Sequence, residues 1–380
     1  MDTPSSSSID RIDSAFVSRP SFRGSKLELL WDDPRLEVAN FGFYPEEHAL
    51  RRLPERAQQV VSERVWTLAQ HTAGGVIRFA TDADTIDLAG ELAFPPSLPH
   101  MAQSGSSGVD LYLYDETEKR WRFAAGGSSA FGEMKFEFRL FDAPCKGVMR
   151  DYLLNLPLYN GIHSLNFCFN SGASFRTPRP WRDLRPIVFY GTSITQGACA
   201  SRPGLAFTNT LCRRLQQPVI NLGFSGNGRG EPEVVELVAA IEKPALFVLD
   251  YEGNCLSLEH LTSSLEYFLR FLREKHSDTP ILVAGRIPFA GESELVAAPE
   301  QKNSRVTRLI CARAVSNLIA ALQAEGINGI TYVDGADLLP GESDDCTVDG
   351  IHPNDEGFFR LSGCFEQIIR KLLTKECNAS

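Results

Sequence analysis

The chain has 380 residues, of which 43% are apolar and 23% charged, and its formal net charge is -10. These proportions are typical of a globular protein with a sizeable core, and the length favours two domains over one. An acidic surface repels nucleic-acid phosphates and anionic membranes, so neither is expected as a partner. No apolar stretch approaches the roughly eighteen residues that a membrane-spanning helix requires.

The N-terminal residues are polar and rich in serine, without the basic and apolar regions of a secretory signal peptide. We predict that residues 1–23 form a mobile tail. Nine cysteines are scattered through the chain, and no Cys-x-x-Cys pair occurs. An odd number at irregular spacing argues against a disulfide framework or a structural zinc site, and it predicts reduced thiols and a cytoplasmic location.

Residues 24–175 alternate apolar and polar side chains with the period of two that a half-buried strand requires. The clearest run is 134–140 (MKFEFRL), and residues 86–92, 121–123 and 165–169 repeat the pattern. One helical segment is expected at about 54–63. Many short alternating strands predict an antiparallel β-sandwich of the jelly-roll type.

A polar stretch with two prolines, residues 170–184, is the expected joint, and a second domain is assigned to 176–380. Predicted strands at 187–190, 219–224, 245–251, 281–284 and 330–333 alternate with predicted helices at 205–215, 233–241, 260–274, about 303–324 and 358–373. This alternation predicts right-handed βαβ units and a parallel sheet, so the fold class is α/β. Such sheets bind ligands beyond the carboxyl ends of their strands, and we expect the site there.

Four motifs fall at these strand ends or before the last helix. They are Gly191-Thr192-Ser193, the glycine-rich stretch around Gly226, Gly253-Asn254, and Asp349-Gly350-Ile351-His352. Each has an ordinary alternative when it is taken alone. A serine or an asparagine commonly caps a helix, a glycine-rich stretch forms a flexible turn, and an Asp–His pair can bind a metal.

Together, the four motifs supply the parts of nucleophilic acyl chemistry. A serine attacks, an imidazole that a carboxylate holds in one tautomer takes its proton, and amide donors bind the oxyanion. No third His or Cys lies at ligand spacing near the Asp–His pair, so a metal site is not expected. The occurrence of all four in order favours catalysis over four independent coincidences.

Over residues 185–374 these motifs resemble the four sequence blocks of the SGNH (GDSL-like) hydrolases. The resemblance implies a flavodoxin-like, three-layer α/β domain. It also implies that Ser193 is the nucleophile, that His352 acts as general base and then as general acid, and that Asp349 orients His352. No cofactor is implied.

The same resemblance assigns the oxyanion hole to the N–H groups of Ser193 and Gly226 and to the side-chain amide of Asn254. One residue departs from the family pattern, because Thr192 stands where an aspartate is common. That aspartate is not a triad member, so the chemistry is expected to survive the change.

The stretch Gly108-Val109-Asp110-Leu111-Tyr112 is similar to the G-x-D-L-Y signature of a β-rich domain that precedes a subset of SGNH esterases. Residues 98–102 and 156–161 resemble that subset too, so the likeness spans about 26–374. Some SGNH enzymes with such a domain deacetylate carbohydrates. The implied function is a serine esterase that hydrolyses short-chain acyl esters, above all acetyl esters, of a small-molecule or oligosaccharide alcohol.

Two other functions stay open at this point. One is a carbohydrate-binding protein whose hydrolase domain no longer turns over. The other is a thioesterase or lipid esterase of the same fold. Neither the oligomeric state nor a contribution of the N-terminal domain to the pocket is predicted from the sequence.

Overall fold

The computed structural model describes residues 26–130, 132–292, 304–341 and 344–377. The tail predicted at residues 1–23 lies outside them. The strands of the N-terminal domain are β1 Lys26–Leu30, β2 Glu37–Ala39, β3 Val76–Thr81, β4 Thr85–Leu92, β5 Val109–Asp115, β6 Arg120–Gly127, β7 Lys135–Asp142, β8 Arg150–Asn155, β9 Ile162–Asn170 and β10 Phe175–Arg176.

These strands form two antiparallel sheets, as the period-two pattern predicted. One sheet has the order β1-β9-β4-β7, and the other has the order β10-β3-β8-β5-β6 with β2 paired to β3. The four alternating runs fall in β4, β6, β7 and β9. Aromatic rings fill the space between the sheets: Phe79 stacks on Tyr152 with ring centroids 5.2 Å apart and meets Phe167 edge-on at 5.5 Å.

The helices of this domain are short: α1 Tyr44–Glu47, α2 Glu63–Ala69, α3 Gln103–Ser106 and a 3-10 turn at Glu55–Gln59. The helix predicted at about 54–63 therefore has different bounds. Ser62 explains the break, because its hydroxyl accepts a hydrogen bond from Val65 N at 3.3 Å and so caps α2 one residue before Glu63.

The second domain is built on a five-stranded parallel sheet with the order β12-β11-β13-β14-β15, the flavodoxin-like order. Its strands are β11 Ile187–Gly191, β12 Val219–Gly223, β13 Leu246–Asp250, β14 Ile281–Ala284 and β15 Ile330–Val333. The sequence predicted all five within one residue at either end. The α/β fold class is thus confirmed.

The helices that cover this sheet are α4 Ser193–Gln196, α5 Phe207–Leu215, α6 Pro232–Ala239, α7 Leu258–Lys275, α8 Ser304–Ala324, α9 Gly335–Leu338 and α10 Asp355–Cys377, with 3-10 turns at Pro203–Leu205, Glu252–Asn254, Ala290–Glu292 and Asp344–Cys346. No helix among the described residues has the length and apolar character to cross a bilayer. No disulfide joins the eight cysteines whose side chains are described.

Each central strand of the sheet is buried on both faces. In β11, Val188 and Tyr190 point into one core, while Ile187 and Phe189 point into the other. The first of these cores also holds Phe43 and further side chains from α2 and the turn before it. The segment that precedes β3 therefore packs with the α/β domain, and the two halves of the chain share a core.

The Asp and Tyr of the G-x-D-L-Y motif bind the second domain. Asp110 is fully buried and accepts hydrogen bonds from Arg202 Nη1 at 2.6 Å and from Gly204 N at 3.0 Å. The Tyr112 hydroxyl accepts a second bond from Arg202 Nη1 at 2.7 Å, and the guanidinium of Arg213 lies 3.8 Å from the centroid of the Tyr112 ring. The motif thus holds the two domains together and is not part of the catalytic site.

Replacing Asp110 by Ala is expected to lower the free energy of unfolding by about 3 kcal/mol, because a buried ion pair loses one partner. The measurement is denaturant unfolding followed by circular dichroism. Asp33→Ala removes an ion pair with the exposed Arg35 and is the control, with an expected loss of less than about 1 kcal/mol. Equal losses of unfolding free energy in the two variants would contradict the role of Asp110 in holding the domains together.

Candidate active site

The turn that carries Ser193 follows β11 directly. Ser193 is the first residue of α4, and the Thr192 hydroxyl accepts a hydrogen bond from Ile194 N at 3.2 Å, which caps that helix. Gly191 permits the turn, because a Cβ there would lie 2.0 Å from Thr195 Oγ1 and 2.5 Å from Asp250 O. Thr192 thus supplies the cap of α4, which an aspartate at this position could also do.

Three predicted residues come together at the edge of the sheet. Ser193 Oγ lies 2.8 Å from His352 Nε2, and His352 Nδ1 lies 2.7 Å from Asp349 Oδ2. The carboxylate accepts the Nδ1 proton, so Nε2 is the acceptor for the serine hydroxyl. Residues separated by 159 positions in the chain therefore form one hydrogen-bonded relay.

The loop before α10 holds the carboxylate of this relay in place. Asp349 Oδ1 accepts backbone hydrogen bonds from His352 N at 2.8 Å and Ile351 N at 3.0 Å. Partial burial raises the pKa of Asp349, but the backbone and imidazole hydrogen bonds from His352 outweigh burial and leave that pKa below its ordinary value. The carboxylate therefore stays ionised when it faces the imidazole.

The loop after β12 brings Gly226 to the same cavity. On either side of it, Ser225 N donates to Gln196 Oε1 at 3.1 Å and Asn227 N donates to Phe224 O at 2.8 Å. Gly226 itself has φ +68°, and a Cβ added there would meet no atom within 4 Å. The loop is therefore fixed by its neighbours, while Gly226 borders open space.

Asn254 ends the 3-10 turn after β13 and lines the cavity. In one orientation its amide oxygen accepts hydrogen bonds from Asn227 N and Gly228 N, both at 3.2 Å. The opposite orientation offers a single contact of 3.3 Å, from its nitrogen to Phe224 O. The first satisfies more groups, and the NH₂ is then the donor that Asn254 offers to the cavity.

The cavity that these residues share has a volume of about 340 Å³. Its polar lining includes Ser193, His352, Asn254, Asp250 and Arg286, and Gly226 lines it as well. Much of its apolar lining belongs to the core on the α5 and α10 side of the sheet: Ile194, Phe207, Leu338, Leu361 and Phe365. Such a site offers a polar reaction centre beside a small apolar chamber.

A second cavity, the interdomain cleft, has a volume of about 630 Å³ and also reaches Ser225. The N-terminal domain lines most of it, with His71, Phe94 and Tyr159 among the lining residues. No motif in the sequence marks His71, whereas residues 156–161, which contain Tyr159, resemble the esterase subset. The N-terminal domain therefore borders the predicted site.

Arg52 and Gln196, which no sequence motif marks, also lie close to the site. Arg52 is 2% exposed, and its guanidinium donates to backbone carbonyls of Leu68, His71 and Gly223. Burial lowers the pKa of Arg52 to about 9. Nothing in the sequence around Arg52 indicates such a role, because its partners are backbone atoms of distant segments.

Asp250, at the carboxyl end of β13, also lines the cavity and was assigned no role from the sequence. Its Oδ2 accepts a hydrogen bond from Thr195 Oγ1 at 2.9 Å, and Thr195 Oγ1 in turn accepts Thr192 N at 3.3 Å. Burial raises the pKa of Asp250 to about 7, against the lowering effect of the Thr195 hydrogen bond. This carboxyl therefore supports the serine turn and titrates near neutral pH.

Asp250→Asn is expected to flatten the pH dependence of stability. The pKa of Asp250 is higher in the folded state than its unfolded value of about 4, so the stability it contributes is lost as pH rises towards 7 and beyond. Relative to wild type, the variant should gain about 1–3 kcal/mol between pH 5 and pH 8. Thermal unfolding at both pH values measures this.

The exposed Asp278→Asn provides a control for the change in net charge. It should follow the wild-type pH profile. A parallel shift of Asp250→Asn and wild type across the pH range would contradict the raised pKa of Asp250.

Comparisons with known proteins agree with this architecture. Residues 184–370 match the model of the GDSL-like lipase/acylhydrolase family, and residues 29–175 match the model of the GxDLY domain, the N-terminus of SGNH-hydrolase-type esterases. The crystal structure of a protein described as a GDSL-like lipase, from Bacteroides ovatus ATCC 8483, is 30% identical with a TM-score of 0.81 and covers 92% of this chain and 98% of its own. The chain belongs to the SGNH (GDSL-like) hydrolase family.

Two further structures resemble this SGNH hydrolase in fold. The salicylyl-acyltransferase SsfX3 of a tetracycline biosynthetic pathway is 18% identical, with a TM-score of 0.70 and coverage of 92% and 98% of the two chains. A family two carbohydrate esterase from Clostridium thermocellum, in complex with cellohexaose, is 10% identical, with a TM-score of 0.55 and coverage of 92% and 99%. No curated protein matches the sequence.

Proposed function

We propose that this SGNH hydrolase is a serine esterase that removes short-chain acyl groups, above all acetyl, from a carbohydrate alcohol. The observation that carries the proposal is the hydrogen-bonded relay of Ser193, His352 and Asp349, of which Ser193 and His352 line a cavity with many apolar residues. A binding protein without turnover has no use for a serine hydroxyl 2.8 Å from an oriented imidazole, so hydrolysis is favoured over binding alone.

In the first half of the reaction, Ser193 Oγ attacks the ester carbonyl while His352 Nε2 takes its proton. The oxyanion is bound by the N–H groups of Ser193 and Gly226 and by the Asn254 amide. The tetrahedral intermediate collapses with cleavage of the bond to the alcohol, and the imidazolium gives its proton to the departing oxygen. An acyl-serine and the free alcohol result.

In the second half, His352 Nε2 takes a proton from water, and the resulting hydroxide attacks the acyl carbonyl. Collapse breaks the bond to Ser193 Oγ, which regains a proton from the imidazolium as the acid leaves. Asp349 stays ionised throughout and stabilises the imidazolium, which suits a carboxylate whose pKa is lowered. The chemistry needs neither a metal nor a redox cofactor.

Two observations support a carbohydrate as the alcohol: the structures that share this fold, and the interdomain cleft next to the catalytic cavity. Carbohydrate esterases share the two-domain fold at low identity, and one is bound to cellohexaose. The interdomain cleft is about 630 Å³, room for an alcohol much larger than the acyl group. A lipid esterase is the second candidate, because much of the lining of the catalytic cavity is apolar, with Phe207, Leu361 and Phe365 among the lining residues.

Ser193→Ala is expected to abolish hydrolysis of p-nitrophenyl acetate and labelling by a fluorophosphonate. Asn254→Ala should lower kcat by a factor on the order of 10²–10³ while leaving labelling possible, because one oxyanion donor is lost and the nucleophile is kept. Ser263→Ala, on the exposed side of α7, is the matched control and should keep full activity. Wild-type activity in Ser193→Ala would refute the proposed nucleophile.

The acyl preference distinguishes the two candidate functions. The cavity lining includes the buried side chains of Phe207, Leu361 and Phe365, so we expect an octanoyl chain to displace packed atoms, at about 1–3 kcal/mol. We expect kcat/KM for p-nitrophenyl octanoate to fall about 5- to 150-fold below that for the acetate. Leu361→Ala enlarges the cavity and should reduce the difference in kcat/KM between the acetate and the octanoate. A wild-type preference for octanoate would favour the lipid esterase.

A further inference from the structure

We propose that the interdomain cleft binds the alcohol part of the ester, that this alcohol is a saturated ring bearing hydroxyl groups, and that His71 selects it by donating a hydrogen bond from Nε2. The inference rests on the proposed function and deepens it by naming the substrate class and a specificity-determining residue. It assigns to the N-terminal domain a direct part in recognition.

The cleft adjoins the reaction centre. Ser225 lines both the cleft and the catalytic cavity, and the next residue, Gly226, lies in the proposed oxyanion hole. Tyr159, on the cleft wall, donates from its hydroxyl to Ser193 O at 3.3 Å. A group joined through an ester oxygen at Ser193 can therefore extend past Ser225 into the cleft.

Three rings of the N-terminal domain form a preorganised wall of the cleft. The ring centroid of His71 lies 6.0 Å from that of Phe94 and 5.9 Å from that of Tyr159. Asn160 fixes Phe94 through two bonds to its backbone, since Asn160 Oδ1 accepts Phe94 N at 3.1 Å and Asn160 Nδ2 donates to Phe94 O at 2.8 Å. Phe94 is 36% exposed and offers a ring surface to a ligand.

The hydrogen bonds around Gln196 fix the tautomer of His71. Two contacts fix the orientation of the Gln196 amide. Its oxygen, Oε1, accepts a hydrogen bond from Ser225 N at 3.1 Å, and its nitrogen, Nε2, donates to Leu158 O at 3.1 Å. The same Nε2 lies 3.1 Å from His71 Nδ1. An amide nitrogen can only donate, so His71 Nδ1 accepts and the ring proton sits on Nε2.

His71 also stays neutral at any ordinary assay pH. Burial, and after it the nearby charge of Arg52, lowers the pKa of His71 to about 3. A neutral donor at a ring wall suits an uncharged hydroxyl better than a carboxylate or a phosphate. The C–H faces of a saturated ring can pack against Phe94, while a ring hydroxyl accepts from His71 Nε2. The alkyl group of a simple alcohol could pack against Phe94, but it would leave His71 Nε2 without an acceptor.

The chain His71–Gln196–Ser225 also links the cleft to the oxyanion loop. Gln196 is fully buried and contacts the imidazole with its nitrogen and Ser225 N with its oxygen. A substitution at His71 that keeps an acceptor for Gln196 should therefore leave the loop in place. His71→Asn does this, since its Oδ1 can replace Nδ1 while the Nε2 donor is lost.

The test compares two acetates with rings of equal size, methyl mono-O-acetyl-β-D-xylopyranoside and cyclohexyl acetate. For His71→Asn we expect kcat/KM on the sugar acetate to fall about 3- to 10-fold, mainly through KM, because one neutral hydrogen bond is lost. The value on cyclohexyl acetate should stay within about twofold, since that ring has no hydroxyl to accept the bond.

Phe94→Ala removes the ring surface and should lower kcat/KM for both substrates by a similar factor. This variant tests the cleft even if His71→Asn fails to fold. His163→Asn, at an exposed position of β9, is the matched control and should change neither substrate. Unchanged kinetics in Phe94→Ala on both substrates would show that the alcohol binds elsewhere.

Failure of this inference is separable from failure of the proposed function. Absence of fluorophosphonate labelling and of acetate hydrolysis in the wild-type protein would refute the proposed esterase function itself. Normal labelling of His71→Asn, with equal losses on both acetates, would keep the esterase and overturn the role of His71 as a donor to a hydroxyl-bearing ring. A selective loss on the sugar acetate would support it.

Discussion

The buried guanidinium of Arg52 is the interaction on which the arrangement of the site depends. It donates to carbonyls at the end of α2, in the turn at His71 and at the end of β12, and it lies 4.9 Å from the centroid of the Phe224 ring. A buried charge without a carboxylate partner is tolerated only when many carbonyl dipoles face it. Those carbonyls must therefore stay where they are, and they fix the N-terminal segment against the strand from which the oxyanion loop departs.

The shared core strengthens the same connection. Side chains from residues 43–69 lie in one cluster with Val188 and Tyr190 of the central strand. Asp110 fastens the sandwich to Arg202 on the other side of the sheet. Two attachments at separate places resist rotation of one domain against the other, so the cleft between them keeps its shape. The N-terminal domain is thus part of the framework of the site.

At the edge of the parallel sheet, the site combines close packing with groups that titrate. Gly191 lets the serine turn approach Asp250, and the resulting burial of this carboxyl raises its pKa to about 7. Asp349, held by backbone N–H groups in an exposed loop, has its pKa lowered instead. Two aspartates near the same serine thus differ in their protonation behaviour, because one is buried and the other is surrounded by donors.

The sequence by itself determined the two periodicities, the strands of the parallel sheet, and the four motifs at its edge. These signals are local: alternation, apolar runs and an Asp–His spacing of three residues depend only on neighbours along the chain. Only the tertiary structure decided that Arg52, His71, Gln196 and Tyr159 meet beside Ser193. Their partners are mostly backbone atoms or side chains more than a hundred positions away, and no local pattern encodes such contacts.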